Sequence, residues 1–155
     1  MTASPNSQWV AVSGFLKTTA PNVWQLLTDP QLTERYMYNC QLHSDWKVGS
    51  AAVWKAQEEN GNWVPHVKAQ VLVYEPCRHL AFTVFHKATD QRPEIQSELH
   101  FLLEPKGDGI RLTIKQGDFA QLELGNVLYK QCQQGWDYVM PQLLDTTKAV
   151  FDKPT

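Results

Sequence analysis

The side chains with the most chemical capacity in this chain are five histidines: His43, His66, His79, His86 and His100. An imidazole changes its charge near neutral pH, so it can act as an acid, a base or a metal ligand. No two of these histidines stand at metal-ligand spacing beside a carboxylate, and the sequence therefore predicts no metal site. A serine is a nucleophile only beside a base and a group that orients that base, and the sequence marks neither for Ser97. We predict no catalytic residue.

The alternation of side chains along a strand singles out His86 among the histidines. The segment 79–87 predicts a strand whose Leu80, Phe82 and Val84 face the interior, and His86 falls on the same side. Two interpretations of His86 stay open. It is either a partly exposed residue at a strand end, or a polar contact or general base for a molecule bound inside.

The same alternation predicts the direction of other side chains. Ser97 falls in an inward apolar row of the next strand, and Gln116 follows an inward apolar row near the end of the last one. Val73 falls on an inward position, whereas His66 and His100 fall on outward positions. The interior is therefore expected to be apolar with few polar groups.

A long C-terminal helix must cover this interior. Apolar and small residues recur at steps of three and four, which is the period of a helix with one buried face: Leu128, Cys132, Gly135, Trp136, Val139, Met140, Leu143 and Leu144. We predict a helix over about 127–151. Gly135 is expected to let the sheet approach beside the Trp136 ring.

The rest of the chain reads as one antiparallel sheet with two short helices after its first strand. Strands are predicted over 9–18, 51–58, 63–75, 79–87, 95–104 and 110–118. Asn60-Gly61 and Asp108-Gly109 are hairpin turn signals, and 88–93 is the longest predicted loop in the sheet. The helices are predicted around Pro21, after a cap at Thr18 or Thr19, and from Asp29-Pro30 to about Met37. The fold class is α+β, with six or seven strands.

The composition bounds the function. The chain has 155 residues, which suggests a single domain with its core over about 9–151, and a net charge of −2. The absence of any Lys/Arg cluster argues against nucleic acid and anionic membranes as partners. No segment has the length of about 20 apolar residues that a membrane helix needs. Three scattered cysteines and an N-terminus without a basic, then apolar, run predict a cytoplasmic protein with reduced thiols.

Six segments, in order, resemble the activator of HSP90 ATPase homologue family in its single-domain bacterial form: VWQLLTDP (23–30), HSDWKVGS (43–50), YEPCRHL (74–80), LEPKGDGIRLTI (103–114), QGDF (116–119) and GWDYVMPQLL (135–144). The resemblance covers about 10–151 and rests on their order, since no single motif is specific. It implies the START-like (SRPBCC) helix-grip fold, in which a curved antiparallel sheet holds a long C-terminal helix. It also implies a cavity between the two that often binds a hydrophobic ligand.

The chain departs from the family pattern at three places. The proline before the first helix stands two residues later, at Pro21, and Tyr36-Met37 replaces a usual tryptophan. Gly49-Ser50 and Ala52 replace a usual Gly-Gly and a large aromatic residue. Ala52 either enlarges the cavity or leaves room that Trp54 fills. The eukaryotic co-chaperone of the family has an extra N-terminal domain that engages the chaperone, so we do not expect HSP90 activation from the resemblance alone.

The leading hypothesis is a non-enzymatic protein that binds a small hydrophobic or aromatic ligand and uses no cofactor. Eight residues are predicted to line its pocket: Tyr36, Trp54, Phe82, His86, Phe101, Phe119, Trp136 and Met140. Tyr36 and His86 are the predicted polar contacts. One alternative is a cyclase- or hydrolase-like enzyme that uses the same cavity. Another is an interaction protein of the HSP90-activator type, with a protein partner on its surface.

Overall fold

The computed structural model describes residues 7–86, 95–120, 122 and 124–151. Its elements, in chain order, are β1 (Val10–Leu16), α1 (Ala20–Thr28), α2 (Pro30–Tyr36), β2 (Gln41–Ser44), β3 (Ala51–Gln57), β4 (Trp63–Glu75), β5 (His79–His86), β6 (Ile95–Lys106), β7 (Gly109–Gly117) and α3 (Gly125–Phe151). The predicted loop 88–93 lies outside the described residues. The predicted hairpin turns join β3 to β4 and β6 to β7, as the sequence indicates.

The seven strands form one antiparallel sheet in the order β1-β7-β6-β5-β4-β3-β2. The helix α3 packs against β1, β7 and α2, and a core of apolar side chains lies between the sheet and the helices. The α+β helix-grip prediction is therefore confirmed. The short edge strand β2 was not predicted, because QLHS shows too little apolar alternation to indicate a strand.

The two short helices begin at side-chain caps. Thr19 precedes α1, and its hydroxyl accepts a bond from the backbone N–H of Asn22 at 3.3 Å. Asp29 ends α1 and starts α2, and its carboxylate accepts from the N–H of Gln31 at 2.9 Å. Each cap satisfies an N–H group that the first helical turn leaves without a partner. The helix α2 packs against β2 and α3, whereas α1 packs against α2, α3 and β7.

Gly14, rather than Gly135, is the glycine that lets the sheet and the long helix approach. A Cβ at Gly14 of β1 would lie 2.8 Å from the Met140 sulfur, which is closer than real Cβ contacts. A Cβ at Gly135 would meet only the Tyr38 hydroxyl, at an ordinary 3.6 Å. The expectation for Gly135 was wrong because its side of α3 faces the end of α2 and not the sheet.

Two irregularities in β4 change the direction of side chains. The register shifts at Trp54/Lys55 of β3, and Val67 and Pro65 pair with these two residues, so His66 has no partner in the ladder. A second shift, between Val71 and Val73, exchanges the faces of the following residues. The outward prediction for His66 and the inward one for Val73 were therefore wrong, because a one-residue bulge reverses the alternation.

Beyond the second bulge, the aromatic ring of Tyr74 occupies the inward position. It packs on the core with its ring 5.4 Å from that of Trp24 in α1. Leu80, opposite Tyr74 in the ladder, is fully buried. The bulge therefore attaches α1 to the sheet through an aromatic pair that the simple alternation would have placed outside.

Candidate functional site

A cavity of about 490 Å³ lies between the sheet and α3. It is lined by side chains from the end of α2, from the strands and from α3: Met37, Tyr38, Cys40, Trp54, His66, Val67, Val84, Phe85, His86, Leu99, Gln116, Cys132 and Trp136. Tyr38, His66 and Val67 are exposed to solvent, so the cavity opens to solvent on their side. Its volume is that of a site for a drug-sized molecule, and most of its lining is apolar.

Three lining residues, Trp136, Gln116 and His86, are connected through the buried Ser97 by a chain of hydrogen bonds. The indole N–H of Trp136 donates to the amide oxygen of Gln116 at 2.8 Å. The amide nitrogen of Gln116 donates to the Ser97 hydroxyl at 3.0 Å, and that hydroxyl lies 2.8 Å from Nε2 of His86. We call these four residues the polar relay. It crosses from α3 over β7 and β6 to β5, because Gln116, Ser97 and His86 lie on neighbouring strands.

Burial makes the polar relay electrostatically neutral. Ser97 and Gln116 are almost completely buried, and His86 is partly buried. The loss of water around the imidazole lowers the pKa of His86 below its ordinary value, which favours the uncharged ring at neutral pH. A hydrogen-bonded and uncharged polar group can be kept inside an apolar cavity at modest cost.

Three of the eight predicted ligand-binding residues line this cavity: Trp54, His86 and Trp136. The other five lie outside its lining: Tyr36, Phe82, Phe101, Phe119 and Met140. Phe82 and Phe101 form a second aromatic layer, with ring centres 5.0 Å from Trp54 and 5.9 Å from Trp136, respectively. They hold the lining rings in place. Their role as ligand contacts stays a prediction.

The remaining three predicted residues make their contacts within the core. The Tyr36 hydroxyl donates to the backbone oxygen of Leu26 at 2.7 Å, and burial strongly raises its pKa. Met140 packs beside Gly14 of β1. Phe119 is fully buried, with its ring centre 6.3 Å from the His86 ring. Phe119 therefore supports His86 from behind.

Among the polar members of the site that the sequence analysis does not predict are Gln116 and His66. The alternation puts Gln116 on the inward face without indicating a role, although a lone amide at the end of an apolar row is a usable signal. The alternation puts His66 on the outer face because no pattern in WVPHVKAQ marks the bulge. Both omissions concern contacts that form between elements and not within one of them.

Burial keeps the two cysteine thiols that line the cavity in their protonated form at neutral pH. Cys132 of α3 is partly buried, and burial raises its pKa to about 11. The pKa of Cys40 is also raised by burial. A thiol is nucleophilic only as thiolate, so neither side chain is activated at neutral pH. Within the described residues, no cluster of three or more His, Cys, Asp or Glu side chains is arranged to hold a metal ion.

The fold and site together define a START-like helix-grip protein: an antiparallel sheet and a long C-terminal helix with a cavity between them. A family model described as "Activator of Hsp90 ATPase homolog 1-like protein" matches residues 17–148. The chain belongs to this family. None of the helices within the described ranges has the length and apolar character needed to span a bilayer.

Solved structures share this fold across nearly their whole length. Protein MLL2253 from Mesorhizobium loti is 21% identical with a TM-score of 0.74, and the match covers 92% of this chain and 98% of that one. Protein NE0264 from Nitrosomonas europaea is 19% identical with a TM-score of 0.70, covering 97% and 100%. The Aha1 dimer from Colwellia psychrerythraea is 16% identical with a TM-score of 0.64, covering 92% and 95%. No curated protein matches the chain.

Proposed function

We propose that this protein binds a small, largely apolar or aromatic molecule in the cavity between its sheet and α3. The observation that carries the proposal is a cavity of about 490 Å³ whose wall is mostly apolar but contains the buried polar relay. Apolar burial would supply the affinity, at about 25 cal/mol per Å² of surface removed from water. The polar relay would orient the bound molecule, as a few placed polar groups do in most ligand sites.

Aromatic ligands fit the wall best. The rings of Trp54 and Trp136 line the cavity from two different elements, β3 and α3. Aromatic rings pack favourably edge-to-face or offset against one another, with a gain of about 0.5–1.5 kcal/mol beyond the area they bury. The second aromatic layer, formed by Phe82 and Phe101, keeps Trp54 and Trp136 in fixed orientations, so the cavity is largely pre-formed.

The test is a titration with N-phenyl-1-naphthylamine, an uncharged fluorophore that brightens in apolar surroundings. We expect saturable binding with one site per chain. Val67→Trp places a large ring at the cavity mouth and should weaken binding by about tenfold or more, a loss of about 1.4 kcal/mol. Leu72→Trp is the matched control, since Leu72 lies on the same strand, is equally exposed at 38% against 37%, and does not line the cavity.

Two results would contradict the proposal. One is fluorescence that rises without saturation, which indicates partitioning onto the surface. The other is equal affinity in the wild-type protein and in Val67→Trp, with both shown to be folded by circular dichroism. Native mass spectrometry of the freshly purified protein adds an independent readout, because a co-purified ligand appears as a retained mass.

The enzymatic alternative has less support from the site. A hydrolase-like mechanism needs a base, a nucleophile and a group that orients the base. His86 and Ser97 are within hydrogen-bonding distance, but among the described residues no carboxylate contacts the His86 ring. The Ser97 hydroxyl is held by Gln116 within the buried wall, so the pair serves to satisfy and orient polar groups.

A further inference from the structure

The polar relay has a fixed direction, and Trp136 sets it. An indole nitrogen can only donate a hydrogen bond, so its partner on Gln116 must be the amide oxygen. The amide nitrogen of Gln116 therefore points to Ser97, whose hydroxyl oxygen accepts. The Trp136 indole, which can only donate, therefore decides which way the Gln116 amide is oriented.

The direction continues from Ser97 to His86. The Ser97 side chain is buried, and its single hydrogen needs an acceptor. Within the described part of the chain, the acceptor in contact with this hydroxyl is Nε2 of His86, at 2.8 Å. Nε2 is then unprotonated, and the neutral ring carries its hydrogen on Nδ1. The lowered pKa of His86 agrees with a neutral ring.

The polar relay therefore ends in a donor at the cavity wall. His86 lines the cavity with Nε2 turned to Ser97, and no described residue accepts a bond from its Nδ1. Gln116 also lines the cavity, and its nitrogen carries a second hydrogen besides the one used by Ser97. Hydrogen bonds that point the same way along such a chain polarise and strengthen one another, so the Nδ1–H at the end of the chain is a stronger donor than that of an isolated imidazole.

We infer that the ligand of this cavity carries an uncharged hydrogen-bond acceptor, such as a ketone, ester or lactone carbonyl on an aromatic body, which the Nδ1–H of His86 and the free amide hydrogen of Gln116 bind. This inference rests on the proposed function. A carbonyl suits the site better than a carboxylate, because no lysine or arginine in the described residues lines the cavity to neutralise a buried charge.

The direction of the polar relay can be measured without any ligand. Long-range ¹H–¹⁵N correlation spectra of the histidine rings distinguish the Nδ1–H from the Nε2–H tautomer. At pH 7.5 we expect His86 to be the Nδ1–H tautomer, which is the less common form of a free imidazole. An Nε2–H ring at His86 would reverse the last step of the relay and overturn the inference.

The ligand class is tested with two naphthalenes of similar size, 2-acetylnaphthalene and 2-isopropenylnaphthalene, in which a =CH2 group replaces the carbonyl oxygen. Amide chemical shifts report the affinity of each. We expect the ketone to bind about tenfold more tightly, the gain from about one well-placed hydrogen bond in an apolar site. His86→Phe keeps a ring but removes one of the two donors, so it should reduce this preference several-fold while the hydrocarbon still binds.

His43→Phe is the matched control, because it makes the same change at an exposed histidine that lies outside both the cavity lining and the polar relay, and it should keep the preference for the ketone. Equal binding of both compounds to the wild-type protein overturns the inference and leaves the proposed function standing. Binding of neither compound overturns both. A preference of unchanged size in His86→Phe also overturns the inference, since His86 then contributes nothing to binding the carbonyl.

Discussion

The indole nitrogen of Trp136 and the amide oxygen of Gln116 are joined by a hydrogen bond of 2.8 Å that links the C-terminal helix to strand β7 inside the cavity wall. Both side chains are buried. This bond fixes the orientation of the Gln116 amide, and through it the two further bonds that reach Ser97 and His86. One contact between a helix and a strand thus organises every polar group of the relay.

Trp136→Phe should lower the free energy of unfolding by about 1–3 kcal/mol, because it leaves the buried Gln116 oxygen without a donor and opens some space beside it. Urea denaturation measures this change. Trp63→Phe is the control, since Trp63 is exposed and its substitution should change stability by less than about 0.5 kcal/mol. Equal effects of the two substitutions would contradict the role given to the indole N–H.

Two tyrosines on either side of the end of α2 should respond differently to loss of their hydroxyls. Tyr36 donates to the carbonyl of Leu26 within the core, whereas Tyr38 donates to the carbonyl of Gly135 at the surface. Tyr36→Phe should cost about 1–2 kcal/mol of stability, because a buried carbonyl loses its partner. Tyr38→Phe should cost little, since water replaces the hydroxyl. Thermal or urea unfolding of both variants compares them directly.

The stability of the fold should decrease as the pH falls through about 6.5. Burial lowers the pKa values of His79 and His86 in the folded protein, and for His79 the neighbouring His100 lowers it further. Between these lowered values and the ordinary value of 6.5, the unfolded chain binds more protons than the folded one, so acid favours unfolding. The contribution is complete above 6.5 and is lost as the pH approaches the lowered values.

Urea unfolding at pH 7.5, 6.5 and 5.5 measures this slope. His86→Gln replaces the titrating ring by a neutral amide that can still bond to Ser97, so its free energy of unfolding should depend less on pH than that of the wild-type protein. An unchanged slope in His86→Gln would show that His86 does not take up a proton on unfolding in this range.

The thiol of Cys132 should report occupation of the cavity. In a Cys40→Ala, Cys77→Ala protein it is the remaining cysteine of the sequence, and burial raises its pKa to about 11. Its alkylation by iodoacetamide should be slow at pH 8 and rise about tenfold for each pH unit up to 10, because the thiolate reacts. Saturation with 2-acetylnaphthalene should slow it further, which mass spectrometry follows. An unchanged rate of labelling in the presence of bound ligand would show that the ligand does not cover Cys132.

Much of the fold could be predicted because its signals are local. Asn60-Gly61 fixes a hairpin within a few residues, and the three-and-four spacing around Trp136 specifies a helix with one buried face. The strand β2 and the bulge at His66 could not be predicted. A four-residue edge strand is stabilised by its neighbour β3, and a bulge is decided by the pairing of two strands.

The sequence by itself determined the family, the helix-grip fold and the inward direction of His86, since these depend on periodicity and on the order of short motifs. Only the tertiary structure decided which aromatic rings line the cavity and which stand behind them. It also decided that Gly14 is the point of close approach and that Gln116 connects Trp136 to Ser97. The reason is that a cavity and a hydrogen-bond relay are relations between side chains on different elements, and their distances are set only when the helix packs on the sheet.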